Sequence, residues 1–200
     1  DPSKPDAFLC EGPWDAMVLW EVLRRARSGT TDPNQIEYTE DESQSLLKDE
    51  RVLAVPGCNA SSELFEKMGR VMADKTAVLM FDSDHPVINN GTTSRAGYDG
   101  MRRFSQSLAK SEERPDSVHY LNWSKGSPPD KEGYDLDKPS GWDVRDHLTQ
   151  GKTFQERVEF LKELLDKIEP IPALWVDGVS KSKSGSLDME LLPCSSYQYL

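Results

Sequence analysis

Cysteine and histidine are scarce in this chain: there are three of each in 200 residues. Cys10, Cys58 and Cys194 are odd in number and far apart, which excludes a disulfide framework, and no C-x-x-C pair offers zinc-ligand spacing. His85, His119 and His147 form no H-E-x-x-H pattern. No apolar run comes near the roughly 18 residues that a membrane span takes, and no G-x-x-x-x-G-K-[ST] loop is present to cradle ATP phosphates. A basic excess is missing as well. Acidic side chains number 35 against 24 basic ones, a formal net charge of -11, which counts against coating nucleic acid with a general basic surface. Free thiols fit a reducing compartment, so a cytoplasmic location is expected. The opening Asp1-Pro2-Ser3-Lys4-Pro5 carries no signal-peptide pattern and reads as a cut inside a longer chain.

What the sequence does contain is a regular alternation. Four short apolar runs, Ala7-Phe8-Leu9-Cys10, Val52-Leu53-Ala54-Val55, Ala77-Val78-Leu79-Met80-Phe81 and Val118-His119-Tyr120-Leu121, are nearly continuous. That pattern suits strands of a parallel sheet buried on both faces. Between and after them lie helical stripes: Ala16, Leu19, Leu23 and Ala26 over 14–27; Leu64, Phe65, Met68 and Val71 over 61–72; Met101, Phe104 and Leu108 over 100–110. A fourth, Phe154, Val158, Leu161, Leu165 and Ile168, covers 154–168 before Pro170 and Pro172 stop it. The expected fold class is α/β and Rossmann-like, a central parallel sheet of about four strands flanked by helices. One domain over 1–172 is expected. It carries a polar, acidic excursion at 28–50 and a mobile loop at 86–95. Residues 173–200, with Ser180-Lys181-Ser182-Lys183-Ser184-Gly185-Ser186, read as a linker and the start of a further segment.

The carboxylates fall at the ends of these strands. Glu11 follows the first. Asp82 and Asp84 follow the third in Phe81-Asp82-Ser83-Asp84. Asp143 and Asp146 come after the fourth, in Gly141-Trp142-Asp143-Val144-Arg145-Asp146. In a parallel sheet all three groups would meet at one carboxyl edge, where such sheets bind ligands. Oxygen ligands of this kind suit Mg²⁺ or Mn²⁺, and so many carboxylates together call for a neutralising cation. A second acidic pair, Asp135 and Asp137, competes with Asp143 and Asp146 for the late position. Arg95, Arg102, Arg103 and Lys110 are candidates to line a path for template or triphosphate, or are solvated helix faces. Trp123 and Trp142 either stack on bases or pack in the core. His85 is the one histidine beside the D-x-D.

These motifs resemble the TOPRIM family. Phe8-Leu9-Cys10-Glu11-Gly12-Pro13-Trp14-Asp15-Ala16 looks like its first motif, and Val55-Pro56-Gly57-Cys58 like the glycine turn after its second strand. Phe81-Asp82-Ser83-Asp84 with Ala96-Gly97-Tyr98-Asp99-Gly100 resembles its D-x-D motif and following helix. Gly141 to Asp146 is similar to the late acidic element of primase-type members. The likeness covers about residues 6–168. It implies Mg²⁺-dependent (or Mn²⁺-dependent) nucleotidyl transfer in primer synthesis, as in a phage- or mobile-element-type primase or primase-helicase. The alternatives are a nuclease of the overcoming-lysogeny or repair type, or a non-catalytic DNA-binding scaffold. Carried over by motif, Glu11 is the acid/base residue, Asp82 and Asp84 hold metal, Asp143 and Asp146 join or support them, and Asp15 steadies the Glu11 turn. The implied partners are a single-stranded DNA template, nucleoside triphosphates, and neighbouring template-binding and helicase domains.

Overall fold

The computed structural model describes residues 5–28, 51–125, 134–135, 137–176, 179–181 and 187–189, so the expected excursion over 29–50 lies outside the described residues. In chain order the elements are β1 (Ala7–Cys10), α1 (Pro13–Ser28), β2 (Arg51–Ala54), α2 (Ser62–Val71) and β3 (Thr76–Met80). A hairpin of β4 (Val87–Asn89) and β5 (Thr92–Ser94) follows, then α3 (Ala96–Lys110), β6 (Ser117–Leu121), α4 (Val144–Thr149) and α5 (Phe154–Asp166). The described chain ends with β7 (Ile168–Pro170), a 3₁₀ turn at Ala173–Trp175, β8 (Val179–Lys181) and β9 (Leu187–Met189).

The main sheet runs in the order β2-β1-β3-β6-β7. Its first four strands are parallel, and β7 pairs antiparallel at the edge. The apolar runs are continuous because both faces of the sheet are covered. Leu9, Leu79 and Phe81 face one core with Phe65 of α2 and Met101, Phe104 and Leu108 of α3. Phe8, Cys10, Val78 and Met80 face the other, with Leu19 and Val22 of α1, Leu148 of α4 and Leu161 and Leu164 of α5. Each such fully buried side chain stabilises the fold by about 1.5–3 kcal/mol. The protein is thus α/β, with a mostly parallel sheet between helices.

Local signals set the helix ends. Pro13 opens α1, where its missing N–H costs nothing. The Ser61 side chain caps α2 by accepting from Leu64 N at 3.2 Å. Thr153 and Glu156 form a reciprocal capping box on α5.

Several expectations need correction. The segment 86–95 is no loop but the β4–β5 hairpin: Asn90 and Gly91 both take positive φ (50° and 78°), the backbone of a tight turn matched to strand twist. Helix α3 starts at Ala96 rather than 100. Helix α5 stops at Asp166, and Ile168 and Pro170 instead form edge strand β7, where proline's lack of a donor is tolerated. On α1, Val22 fills the core position expected for Ala26, which is exposed. Beyond 172, Trp175 is buried against Tyr98 and Tyr120 at ring distances of 5.1 and 4.9 Å, and β8 and β9 pair with each other and contact α3. The packed unit therefore runs past the boundary read from the sequence.

Candidate functional site

The strand order reverses between β1 and β3. The chain leaves β1 toward β2 on one side, then crosses back to build β3, β6 and β7 on the other. At such a switch point the connections diverge and leave a crevice beyond the carboxyl ends of the two strands. Glu11 leaves β1 there and Asp82 leaves β3.

Glu11 ties three connections together. Its Oε1 accepts from Cys58 N at 3.0 Å, in the turn after β2, and its Oε2 accepts from Asp82 N at 3.2 Å. The Cys58 thiol also faces this carboxylate, of whose roughly four lone-pair sites part stays open. No donor among the described residues reaches the Asp82 carboxylate. Asp84 Oδ2 accepts from Gly97 N at 2.7 Å, at the positive end of α3. Gly97 lies so close to the D-x-D backbone that a Cβ there would stand 2.4 Å from Asp82 O.

The late acidic element is brought in by main-chain bonds. Ser83, the middle residue of the D-x-D, donates its N–H to Trp142 O at 2.8 Å and accepts from Gly141 N at 3.0 Å. This short antiparallel bridge sets Asp143 beside Asp15. Asp143 caps α4 through Asp146 N at 2.6 Å and pairs with Arg145 Nη2 at 2.7 Å, while Asp15 Oδ1 accepts from Arg145 N at 3.2 Å. The Asp15 and Asp143 carboxyls interact directly, which favours the Asp15 anion and disfavours that of Asp143.

The electrostatics record this crowding. Burial first, then the carboxylates of Glu11, Asp15, Asp143 and Asp84, push Asp82 up to about 8. Burial chiefly, with Asp15 and Asp146 repelling and the Asp146 N–H and Arg145 opposing, lifts Asp143 to about 6. Burial also raises Asp15, against the pull of Arg145. The Cys58 thiol, buried and beside Glu11, is pushed up to about 11.

The structure therefore brings Glu11, Asp15, Asp82, Asp84 and Asp143 to one sheet edge. Asp146 joins them through its N–H on Asp143 Oδ1 and through Arg145, which reaches its carboxylate at 3.5 Å. Of the competing pair, Asp135 faces Lys167 at 3.6 Å and its N–H goes to Ser83 Oγ at 2.8 Å, while Asp137 is exposed. His85 serves the same segment, with Nε2 3.2 Å from Asp135 O and its ring against Tyr134.

Among the basic candidates, Arg103 holds the turn after β2 through Cys58 O at 2.9 Å and Asn59 Oδ1 at 3.0 Å. Arg95 covers the Tyr98 ring at 4.1 Å beside the start of α3. Arg102 lies half-buried midway along α3. Lys110 ends α3 about 21 Å along its axis from the acidic edge, which removes it from the site. Trp123 is buried and donates Nε1–H to Phe81 O at 2.7 Å, so it is a core residue; Trp142 is half-buried under Lys138. Sequence reasoning missed Arg145 as the internal counter-ion and Ser83 as the tie. Only the flanking of Arg145 by Asp143 and Asp146 hinted at the first.

Among the described residues no three His, Cys, Asp or Glu side chains stand as a ready-made metal cage. The donor set nevertheless fits a hard divalent cation. Mg²⁺ takes one or two carboxylates and keeps its remaining positions for waters and phosphates. The open Asp82 carboxylate, next to Asp84 and Glu11, offers that. No family model matches the chain, and no curated protein or solved structure matches it either.

Proposed function

We propose that the chain is the TOPRIM-like catalytic module of a Mg²⁺-dependent nucleotidyltransferase of the DNA primase type. One observation carries this reading: Glu11 holds the turn after β2 and the D-x-D after β3 in its two carboxylate oxygens, at the switch point of the sheet. The motif order supports it, and so does the Ser83–Trp142 bridge, which joins the primase-like late acidic element to the D-x-D.

In primer synthesis a 3′-hydroxyl attacks the α-phosphate of a nucleoside triphosphate and pyrophosphate leaves. A bound divalent cation would lower the hydroxyl's pKa and neutralise charge on phosphate oxygens. Asp82 and Asp84 are the residues to hold it. Glu11, fixed by two N–H donors, keeps lone pairs open to take the hydroxyl proton. Asp15 and Asp143, balanced by Arg145, form the outer wall of the site and add negative potential that attracts the cation. The reaction asks mainly for positioning and charge neutralisation, which a rigid carboxyl edge supplies.

The test is incubation with single-stranded DNA, labelled ribonucleotides and Mg²⁺. Short, template-dependent oligomers are expected from the wild type and none from Glu11→Gln or Asp82→Asn. Degradation of the DNA without synthesis would replace this reading by the nuclease one. DNA binding with neither activity would replace it by the scaffold.

A further inference from the structure

Arg145 stands where a helix has least use for a cation. It lies in the first turn of α4, just past the Asp143 cap, where unpaired N–H groups already carry positive charge. The acidic edge holds it there. Its Nη2 donates to Asp143 Oδ2 at 2.7 Å and reaches Asp146 Oδ1 at 3.5 Å, while its main-chain N–H donates to Asp15 Oδ1 at 3.2 Å. Three carboxylates therefore meet at one residue. The Asp143 side chain is only 10 % exposed, and its other oxygen accepts from Asp146 N at 2.6 Å, so both oxygens are engaged within the protein. The Asp82 carboxylate differs, since none of the described donors reaches it. The acidic edge thus has one half that contains its own cation and one half that does not.

We propose that Arg145 is a resident cation standing in for a second divalent ion, so that this edge takes one metal ion, on the D-x-D, and none on Asp143. A guanidinium is always charged and cannot give up its place by losing a proton. Its pairing with Asp143 is short and charge-assisted, the stronger kind of hydrogen bond. A divalent ion ligated by Asp143 would share that carboxylate with the guanidinium and be repelled by it. The inference rests on the proposed function for the divalent ion itself. It adds how many ions the edge takes and which residue sets that number.

The test counts Mn²⁺ ions bound by the full chain, from the electron paramagnetic resonance signal of the free ion. Binding to scattered surface carboxylates is common to all variants and cancels in the comparison. Arg145→Gln drops the charge and should take up one ion more than the wild type; Arg145→Gln/Asp143→Asn should lose it again. Arg145→Lys keeps a cation and should count as the wild type. Asp143→Asn alone should also count as the wild type, because Asp143 holds no ion while Arg145 is present. That last comparison leaves the arginine in place, so it decides the matter even if near-ultraviolet circular dichroism shows Arg145→Gln unfolded. The proposal is refuted if a folded Arg145→Gln binds no extra ion, or if Asp143→Asn loses one. The expected counts, with no primer synthesis by the wild type, leave the role of Arg145 standing and overturn the catalytic reading. Synthesis by the wild type together with an ion lost in Asp143→Asn does the reverse.

Discussion

Replacing Asp82 by Asn removes the carboxylate that suffers most from its neighbours, so the metal-free protein should become more stable. The size of the gain depends on pH. Folding raises Asp82 from an ordinary 3.8 to about 8. Between those values the side chain is protonated when folded and ionised when unfolded, so wild-type stability falls as pH rises through that window. Below about pH 4 the two states bind the proton alike and the effect vanishes; above about 8 the full penalty is present. At 1.36 kcal/mol per pH unit the whole displacement amounts to about 6 kcal/mol, an upper bound. The repulsion is shared with Glu11, Asp15, Asp84 and Asp143, which readjust when one charge goes, so about 2 kcal/mol is a fair expectation near pH 9. Urea denaturation in EDTA of wild type and Asp82→Asn, at about pH 4, 7 and 9, measures this. The gain should be near zero at the first and grow to the last. A variant that is destabilised, or stabilised equally at all three, would show that the acidic edge is not a store of repulsion.

Other outcomes follow from single contacts. Glu11→Gln can accept only one of the two N–H bonds, so hydrogen exchange at the Cys58 and Asp82 amides should quicken while distant amides are unchanged. Gly97→Ala drives a methyl into the Asp82 carbonyl and should cost about 1–3 kcal/mol in urea denaturation. His147 is buried between Trp123 and Phe160, and burial, then Lys167 and Lys138, lower it to about 4. Its folded form binds a proton less readily than the unfolded one, so it withdraws stability as pH falls from about 6.5 to 4, and His147→Phe should lessen that acid loss. Trp175→Ala should cost about 3–5 kcal/mol, the price of emptying a core position, and so show that the segment beyond 172 belongs to the fold.

The sequence shows the sheet because the cores lie on both its faces: burial on each side leaves no room for polar alternation, and the four runs stand out. The carboxyl edge follows from the parallel order, which is why Glu11, Asp82 and Asp84 are found together. What sequence hides is long-range main-chain geometry. The Ser83–Trp142 bridge joins residues far apart in the chain with no side-chain signal, yet it brings the Asp143 carboxylate to the acidic edge, whereas Asp135 meets Ser83 through its N–H and turns its carboxylate to Lys167. Strand β7 was hidden because Ile168-Glu169-Pro170 continues the apolar phase of α5, and the edge position, not the pattern, makes it a strand. The β4–β5 hairpin was legible after all: Asn90-Gly91 is a strong turn signal, outweighed in a loop reading by the polar residues around it. Exposure is also invisible to pattern reading, so the buried Trp123 and the half-buried Trp142 looked alike, and only the packing tells them apart.

The proposed chemistry needs a divalent cation held by Asp82 and Asp84 beside Glu11. Titrating Mn²⁺ into isotope-labelled protein and following paramagnetic broadening of the amide resonances tests this most directly. The amides of Cys58, Asp82 and Gly97 should broaden first, and the effect should vanish in Asp82→Asn. Broadening that starts instead at the acidic runs Glu40-Asp41-Glu42 or Glu112-Glu113, or that persists unchanged in Asp82→Asn, would contradict it.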